Sequence, residues 1–200
     1  MNNIEIGLFF DRNHLFDAVD FSHNIKNFIP DLLSPIILPI SENNNNPFII
    51  FDKNEHLKMY VSQNNILIHI NEELSNIRND LLKELFNIMN KINIKIVRIG
   101  VVITKVFGTK ERDLLANNVF DSMEIINARN FQLSYFQEVS YDDIILNCWK
   151  RYVTSNSELF VTYDINTNIN DILNVNYKYA VKFINFANDY MKNNQIVQLY

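Results

Sequence analysis

Glycine is scarce in this chain of 200 residues, with only three in all, at positions 7, 100 and 108. Main-chain loops that cradle phosphate usually need several glycines, because only a backbone without side chains approaches the ligand closely. Neither G-x-G-x-x-G nor G-x-x-x-x-G-K-[ST] occurs in the sequence. Nucleotide binding by those two routes is therefore disfavoured, and we expect no cofactor.

Cysteine is nearly absent, and long apolar runs are absent altogether. The single Cys148 cannot form a disulfide within the chain, which favours a reducing compartment. No segment reaches the roughly 18 to 20 consecutive apolar residues that span a bilayer. The first residues also lack the basic and apolar regions of a signal peptide. These features predict a cytoplasmic protein that does not enter a membrane.

Patterns typical of metal ligands and nucleophiles are missing as well. No recognised nucleophile motif surrounds Cys148, and buried cysteines flanked by strand residues are usually inert. The histidines show no metal-ligand spacing, and we interpret them as solvated or hydrogen-bonded side chains. The sequence accordingly predicts no catalytic residue and no metal site. The four histidines are His14, His23, His56 and His69.

Positive charge is in the minority. The formal net charge is −5 and the pI is about 5.3, which argues against broad binding of nucleic acid through phosphate neutralisation. The apolar fraction of 48% with 20% charged residues is ordinary for a globular protein. A chain of this length can bury roughly 70% of its unfolded surface, so we expect one large domain or two closely packed halves.

The most regular feature present is an apolar segment at residues 94–107. Residues 97, 99, 101 and 103 are all Val or Ile and share one face of an extended chain. Arg98 and Gly100 fall on the other face. This alternation predicts a central β-strand.

A similar segment lies at residues 4–10. In both segments an apolar, a charged, an apolar and a glycine residue precede three apolar residues, so Gly7 and Gly100 occupy the same place. Each segment is followed by a polar break, an amphipathic stretch, short strands and a long helix. This order predicts an internal duplication of a β-α-β-β-β-α unit, with halves at residues 1–93 and 94–200 in one compact domain. The alternative is chance similarity in an isoleucine-rich chain.

The other patterns predict an α+β fold in which antiparallel meanders pack against long helices. Alternating apolar residues at 57–61 and 66–70, joined by Asn64 and Asn65, predict a β-hairpin. Ser22 is predicted to cap a short first helix. Apolar stripes at 3- and 4-residue spacing predict helices over residues 71–92 and about 175–192. Residues 131–139, 144–154 and 158–167 are predicted to form a second meander, and the apolar residues 196–200 to dock on the sheet or on a partner.

Two groups of charged residues are candidate binding sites, one acidic and one basic. Acidic residues near predicted turns and strands, at Asp142, Asp143, Asp164 and Asp171, are of the type that binds cations in nuclease sites. Local hydrogen bonds of Asp in turns explain the same pattern, and we favour that interpretation.

The most basic windows fall on two predicted strands. If the sheet presents them on one face, phosphate could be contacted by arginine and lysine, with an aromatic ring stacking on bases. A charged, solvent-facing side of a sheet is the favoured alternative. The windows contain Lys91, Lys95, Arg98, Lys105, Lys110, Arg112, Lys150, Arg151 and Tyr152, and the nucleic-acid hypothesis uses Arg98, Lys105, Arg151 and Tyr152.

Arg98-Ile99-Gly100, preceded by the long helix and the alternating meander, resembles a sporadically distributed family of uncharacterised bacterial proteins. In that family a helix leads into a strand with an Arg-hydrophobic-Gly step, and the strand at residues 159–164 before a closing helix is similar too. The family's usual Arg-Tyr-Ile-Asn continuation is absent, since Val-Val-Ile-Thr stands at residues 101–104. The resemblance is one of layout over most of the chain. It implies no known activity and transfers no functional residue.

The sequence therefore favours a non-catalytic cytosolic protein-interaction module, acting in bacterial or phage conflict as a defence, immunity or inhibitor protein. A sheet face or the apolar C-terminal segment would dock a protein partner, and that segment also offers a route to a homo-oligomer. The alternative is an RNA- or single-strand-binding subunit of a nucleoprotein complex. A third hypothesis is a hydrolase with an unrecognised carboxylate site at Asp142 or Asp164.

Overall fold

The computed structural model describes residues 2–11, 15, 17–28, 34–53, 57–71, 79–120, 130–142, 144–155, 157–168 and 174–194. Within these ranges the chain forms nine strands and four helices. In chain order they are β1 (Asn2–Phe10), α1 (Ala18–Phe28), β2 (Ile36–Ile37), β3 (Ile49–Lys53), β4 (Leu57–Val61), β5 (Asn65–Ile70), α2 (Asn79–Lys91), β6 (Ile96–Phe107), α3 (Thr109–Phe120), β7 (Gln132–Tyr141), β8 (Ile144–Thr154), β9 (Leu159–Thr167) and α4 (Tyr177–Asn193).

The nine strands form one antiparallel sheet in the order β2-β3-β4-β5-β1-β6-β9-β8-β7. Strands β1 and β6 lie side by side at its centre, and Gly7 is directly opposite Gly100. Outward from β1 come β5, β4 and β3, and outward from β6 come β9, β8 and β7. The α+β prediction with antiparallel meanders is therefore confirmed, including the hairpin of β4 and β5.

The helices pack on one side of the sheet, here called the covered face. Alternate residues of the central strands point toward them, and Ile4, Ile6 and Leu8 of β1 are fully buried there. The ring of Phe21 on α1 lies 6.5 Å from that of Phe51 on β3, and α2 contacts both α1 and α4. The opposite side, here called the open face, carries no helix from the described part of the chain. Its side chains are the ones available to a ligand.

Helix α2 presents the predicted buried stripe. Five side chains at 3- and 4-residue spacing are buried, whereas Ile92, also expected in the stripe, is 38% exposed because the helix ends at Lys91. Asn93 adopts φ 56°, and the N–H of Ile94 then donates to the Met89 carbonyl at 2.9 Å. The predicted start of this helix, residues 72–78, lies outside the described residues. The five buried members of the predicted stripe are Leu81, Leu82, Leu85, Ile88 and Met89, and Phe86, which the stripe did not include, is buried as well.

The predicted cap of the first helix was wrong. Ser22 lies inside α1 and is buried. Asp17 caps the helix instead, because its Oδ1 accepts hydrogen bonds from the N–H groups of Val19 and Asp20, both at 3.0 Å. The last helix begins as predicted, with Asn176 Oδ1 accepting from the N–H of Tyr179. No helix in the described ranges is long and apolar enough to cross a bilayer.

Candidate functional site on the open face

Two rows of side chains cross the open face at right angles to the strands. Residues opposite each other in an antiparallel sheet point to the same side, so register alone places them next to each other. The first row, here called the charged row, runs Asp52, Lys58, His69, Glu5, Val102, Asp164, Trp149, Phe136. The second, here called the glycine row, runs Ile50, Tyr60, Leu67, Gly7, Gly100, Asn166, Asn147, Glu138.

Each acidic side chain of the charged row has a polar partner. Asp52 Oδ2 lies 3.2 Å from Lys58 Nζ, and Glu5 Oε2 lies 3.0 Å from His69 Nε2. Asp164 accepts from Arg151 Nη2 at 3.2 Å and from Asn166 Nδ2 at 3.0 Å. These side chains are partly exposed, so each pair contributes only about 0–1 kcal/mol to stability. Their main effect is that the carboxylates already have partners before any ligand arrives.

A hollow of about 240 Å³, here called the central hollow, lies over the paired glycines in the middle of the open face. Gly7 and Gly100 form part of its lining because they place no side chain there, and Arg98, Asp164 and Asn166 also line it. A second hollow of about 340 Å³ shares Glu5 with it and extends toward β4. The centre of the sheet therefore offers a concave surface bordered by charged and amide groups.

Arg98 is the cation of the central hollow. Its guanidinium carbon lies 4.1 Å from the centroid of the Phe9 ring, which is a cation–π arrangement. Its Nε is shielded from solvent and has no hydrogen-bond partner among the described residues. Desolvation by burial lowers the pKa of Arg98 below its usual range, and arginine nevertheless stays protonated in proteins at neutral pH.

An apolar group of side chains, here called the outer patch, lies on β7 and β8 at the far end of the open face. It comprises Phe136, Ile145, Trp149 and Val153, which are between 36% and 47% exposed. The rings of Phe136 and Trp149 are 4.9 Å apart, and the guanidinium of Arg151 lies 5.8 Å from the Trp149 ring. Clustered, exposed aromatic and arginine side chains are typical of protein-binding surfaces.

The four residues of the nucleic-acid hypothesis do not share one face. Arg98 and Arg151 lie on the open face, whereas the register places Lys105 and Tyr152 opposite Val161 on the covered face. Tyr152 is only 7% exposed. Only two of these four residues thus lie on the open face, and binding of nucleic acid by them stays a prediction.

The basic windows also included Lys150, and the prediction that its side chain faces solvent was wrong. Lys150 is 4% exposed, and its ammonium donates to the main-chain carbonyl of Asn194 beneath the end of α4. It lies 5.0 and 5.3 Å from the rings of Tyr152 and Tyr163. Burial lowers the pKa of Lys150 to about 8. The sequence did contain a signal for this burial. Lys150 lies two residues after Cys148 on the same strand, so both side chains point to the same face.

The acidic candidates do not converge. Asp142 sits in the β7–β8 turn with φ 45° and pairs with Lys182 of α4 at 3.1 Å, whereas Asp164 lies in the middle of the open face. Asp143 and Asp171 lie outside the described residues. In the ranges that the structure describes, no group of three His, Cys, Asp or Glu side chains is arranged to hold a metal ion.

Cys148 and the histidines match their sequence interpretation where they are described. Cys148 is fully buried on the covered face, and burial raises the pKa of its thiol to about 12. His69 pairs with Glu5 and meets the Tyr60 ring edge-on at 5.1 Å, while His23 is exposed on α1. His14 and His56 lie outside the described residues.

Sequence reasoning did not single out Glu5, Phe9 and Asn166 as parts of a site. Each is unremarkable in its own segment, and only the pairing of β1 with β6 and of β6 with β9 brings them together. The recurring place of Gly7 and Gly100 was the one signal that could have located the hollow. No protein-family model matches this chain, and a search of curated proteins finds no significant match.

Proposed function

We propose that the chain is a non-catalytic protein-interaction module that docks a partner protein on the open face of its sheet. The observation that supports this most is the outer patch, where the rings of Trp149 and Phe136 pack at a 45° tilt and are exposed to solvent. Tryptophan and arginine dominate the binding energy of many interfaces, and Arg151 lies beside Trp149. The setting in bacterial or phage conflict, the cytoplasmic location and the resemblance to uncharacterised bacterial proteins stay predictions.

The charge of the open face favours protein over nucleic acid as the partner. Arg98 and Arg151 are accompanied there by Glu5, Asp164 and Glu138. Binding to a phosphate backbone relies on a net excess of positive charge, and this face does not supply one. The RNA- or single-strand-binding alternative is supported only by the two arginines and the Trp149 ring, which suits base stacking.

We also infer that the two halves of the chain are copies of one β-α-β-β-β-α unit. Three features support this: the identical outward order of strands from β1 and from β6, the closing helices α2 and α4, and the direct opposition of Gly7 and Gly100. Strand β2 has no counterpart among the described residues of the second half. Homo-oligomer formation through residues 196–200 concerns residues outside the described ranges and stays a prediction.

The test of function is affinity capture from the native host with a matched pair of variants. Trp149→Ser removes the ring of the outer patch, while Val19→Ser removes an apolar side chain that is even more exposed, at 70% against 36%, from α1 on the helical side. We expect a reproducible protein companion that is retained by wild type and by Val19→Ser and is lost with Trp149→Ser. Retention by all three proteins would place the interface elsewhere and contradict the proposal.

Filter binding with single-stranded RNA and DNA over a range of salt concentrations tests the alternative. A phosphate-dependent affinity falls steeply with added salt. We expect no salt-dependent binding; a steep salt dependence that is lost in Arg98→Gln and Arg151→Gln would favour the nucleic-acid function instead. The hydrolase hypothesis predicts an activity that Asp164→Ala or Asp142→Ala abolishes in a substrate screen.

A further inference from the structure

Among the described residues, Arg98 is the one charged side chain lining the central hollow that forms no hydrogen bond or ion pair. Of the three ionisable side chains that line it, Glu5 Oε2 lies within hydrogen-bond distance of His69 Nε2, at 3.0 Å, and Asp164 pairs with Arg151. Arg98 is the exception, because its guanidinium contacts the Phe9 ring and forms no ion pair with a carboxylate in the described part of the chain. A desolvated guanidinium without an acceptor gains strongly from an anion.

The backbone builds this arrangement through Gly7. The ring of Phe9 lies so close to Gly7 that an added Cβ would be 2.8 Å from Phe9 Cε2. Phe9 is the cross-strand partner of Arg98, and its ring supports the guanidinium at 4.1 Å. The absence of a side chain at position 7 thus leaves room for the Phe9 ring beside Gly7, and the ring in turn contacts Arg98 at the edge of the hollow.

We propose that the central hollow is a binding site for a single carboxylate group, which pairs with the guanidinium of Arg98. The apolar stem of the ligand would pack against Phe9, Leu67 and Val102, which line the same hollow. The inference deepens the proposed function and rests on it for the source of the carboxylate, an acidic side chain of the docked protein. A free small carboxylic acid is the other source of the same chemistry.

The acidic groups around the hollow select for a singly charged ligand. Glu5 and Asp164 border the space that the ligand enters, so a phosphate with nearly two negative charges meets more repulsion than a carboxylate with one. Planar carboxylates also match the fork geometry of arginine. The volume of about 240 Å³ admits a side chain or a small acid and is below the usual range for drug-sized ligands.

The test is a titration of the full chain followed through its arginine Nε–Hε resonances by NMR. The probes are N-acetyl-glutamate amide, butyrate and inorganic phosphate, and the Arg98 resonance is identified by its loss in Arg98→Gln. We expect the capped glutamate to shift this resonance saturably and phosphate to bind about tenfold more weakly. In calorimetry of the same probe, Arg98→Gln should weaken binding about tenfold or more. Lys58→Gln should not, because Lys58 lies on the same face, pairs with Asp52 and does not line the hollow.

Each outcome decides the proposal. Butyrate binding much more tightly than capped glutamate would keep the carboxylate site and assign it to a small molecule. No saturable response to either carboxylate, equal binding by Arg98→Gln, or a preference for phosphate would overturn it. Gly7→Ala provides a second variant, since it displaces Phe9 while leaving Arg98 in the sequence, and it should weaken carboxylate binding as well. Capture of a partner through Trp149 with no carboxylate response would refute this inference and leave the proposed function standing.

Discussion

At the scale of single residues, the arrangement of Phe9 and Arg98 on the open face depends on the absence of a side chain at Gly7. Gly7 has an ordinary extended backbone, so its role comes from close approach and not from an unusual φ. The Phe9 ring occupies the space that a Cβ would need, and Arg98 rests on that ring. Gly100 is less constrained, because its nearest neighbour to an added Cβ is Asn166 Cβ at 3.3 Å.

Gly7→Ala should therefore destabilise the protein more than Gly100→Ala. We expect a loss of about 1–3 kcal/mol at position 7, since the Phe9 ring must move and take Arg98 with it. At position 100 the lower entropy of the unfolded chain offsets part of a milder clash. Urea unfolding of both variants measures the difference, and an equal loss at the two positions would contradict the Gly7–Phe9–Arg98 arrangement.

Lys150 should make stability depend on pH. Its folded-state pKa is about 8 because of burial, against roughly 10.4 in an unfolded chain. Between these values the unfolded state binds more protons than the folded state, so the free energy of unfolding rises as pH increases from about 8 to about 10. Below pH 8 both states hold the proton, and the burial cost is present in full.

The measurement compares urea unfolding of wild type and Lys150→Met across that pH range. Tyrosine titration is common to both proteins, and burial raises the pKa of neighbouring Tyr152 to about 12, so the difference between the two curves isolates Lys150. We expect wild type to gain stability relative to the variant with rising pH. Parallel curves would show that the ammonium is not desolvated in the folded state.

At the scale of elements, periodicity decides which side of each helix and strand is buried. Helix α2 is the clearest case, because Leu85 is fully buried at the centre of its stripe while Lys83 is exposed. On the strands, alternate residues divide between the covered and the open face, and a shift of one residue would exchange them. The bulge where β1 and β6 shift register between Phe9 and Phe10 is the one place where this alternation is interrupted in the central pair.

Leu85→Asp should destabilise the protein by about 3–5 kcal/mol, because it places an uncompensated charge in the core. Lys83→Asp introduces the same residue on the exposed side of the same helix and should change stability by less than about 0.5 kcal/mol. Chemical denaturation followed by circular dichroism measures both variants. Similar losses for the two would mean that α2 does not bury the predicted side.

At the scale of the whole molecule, the two halves share one sheet and one core. Strands β1 and β6 pair along nearly their whole length, and α2 of the first half contacts α4 of the second. Separating the halves would expose the edges of β1 and β6 that now pair with each other, and the apolar sides of α2 and α4. The halves are therefore expected to unfold together, despite their repeated order of elements.

Trp149 makes this expectation measurable, since it is the only tryptophan and lies in the second half. Its fluorescence reports on β8, whereas far-UV circular dichroism reports on all helices and strands. We expect both signals to give the same urea midpoint and slope, as in a two-state transition. A fluorescence transition displaced from the circular dichroism transition would indicate halves that unfold independently.

The sequence by itself determined the elements and their buried sides. Alternation in residues 97–103, the stripe of α2 and the turn at Asn64 each depend on neighbours within one segment, and local periodicity is enough to read them. Two local predictions were wrong. Asp17 and not Ser22 caps α1, and Ile92 is exposed because α2 ends before it.

Only the tertiary structure decided which strands are neighbours, and that choice made the candidate site. Glu5, Arg98 and Asp164 come from three distant segments, and nothing in their own surroundings in the chain indicates that they border one hollow. Lys105 and Arg151 looked alike as basic strand residues, yet register placed them on opposite faces. Strand order and register are set by the sum of many weak contacts across the sheet and its helices, so no single segment contains the information that locates the site.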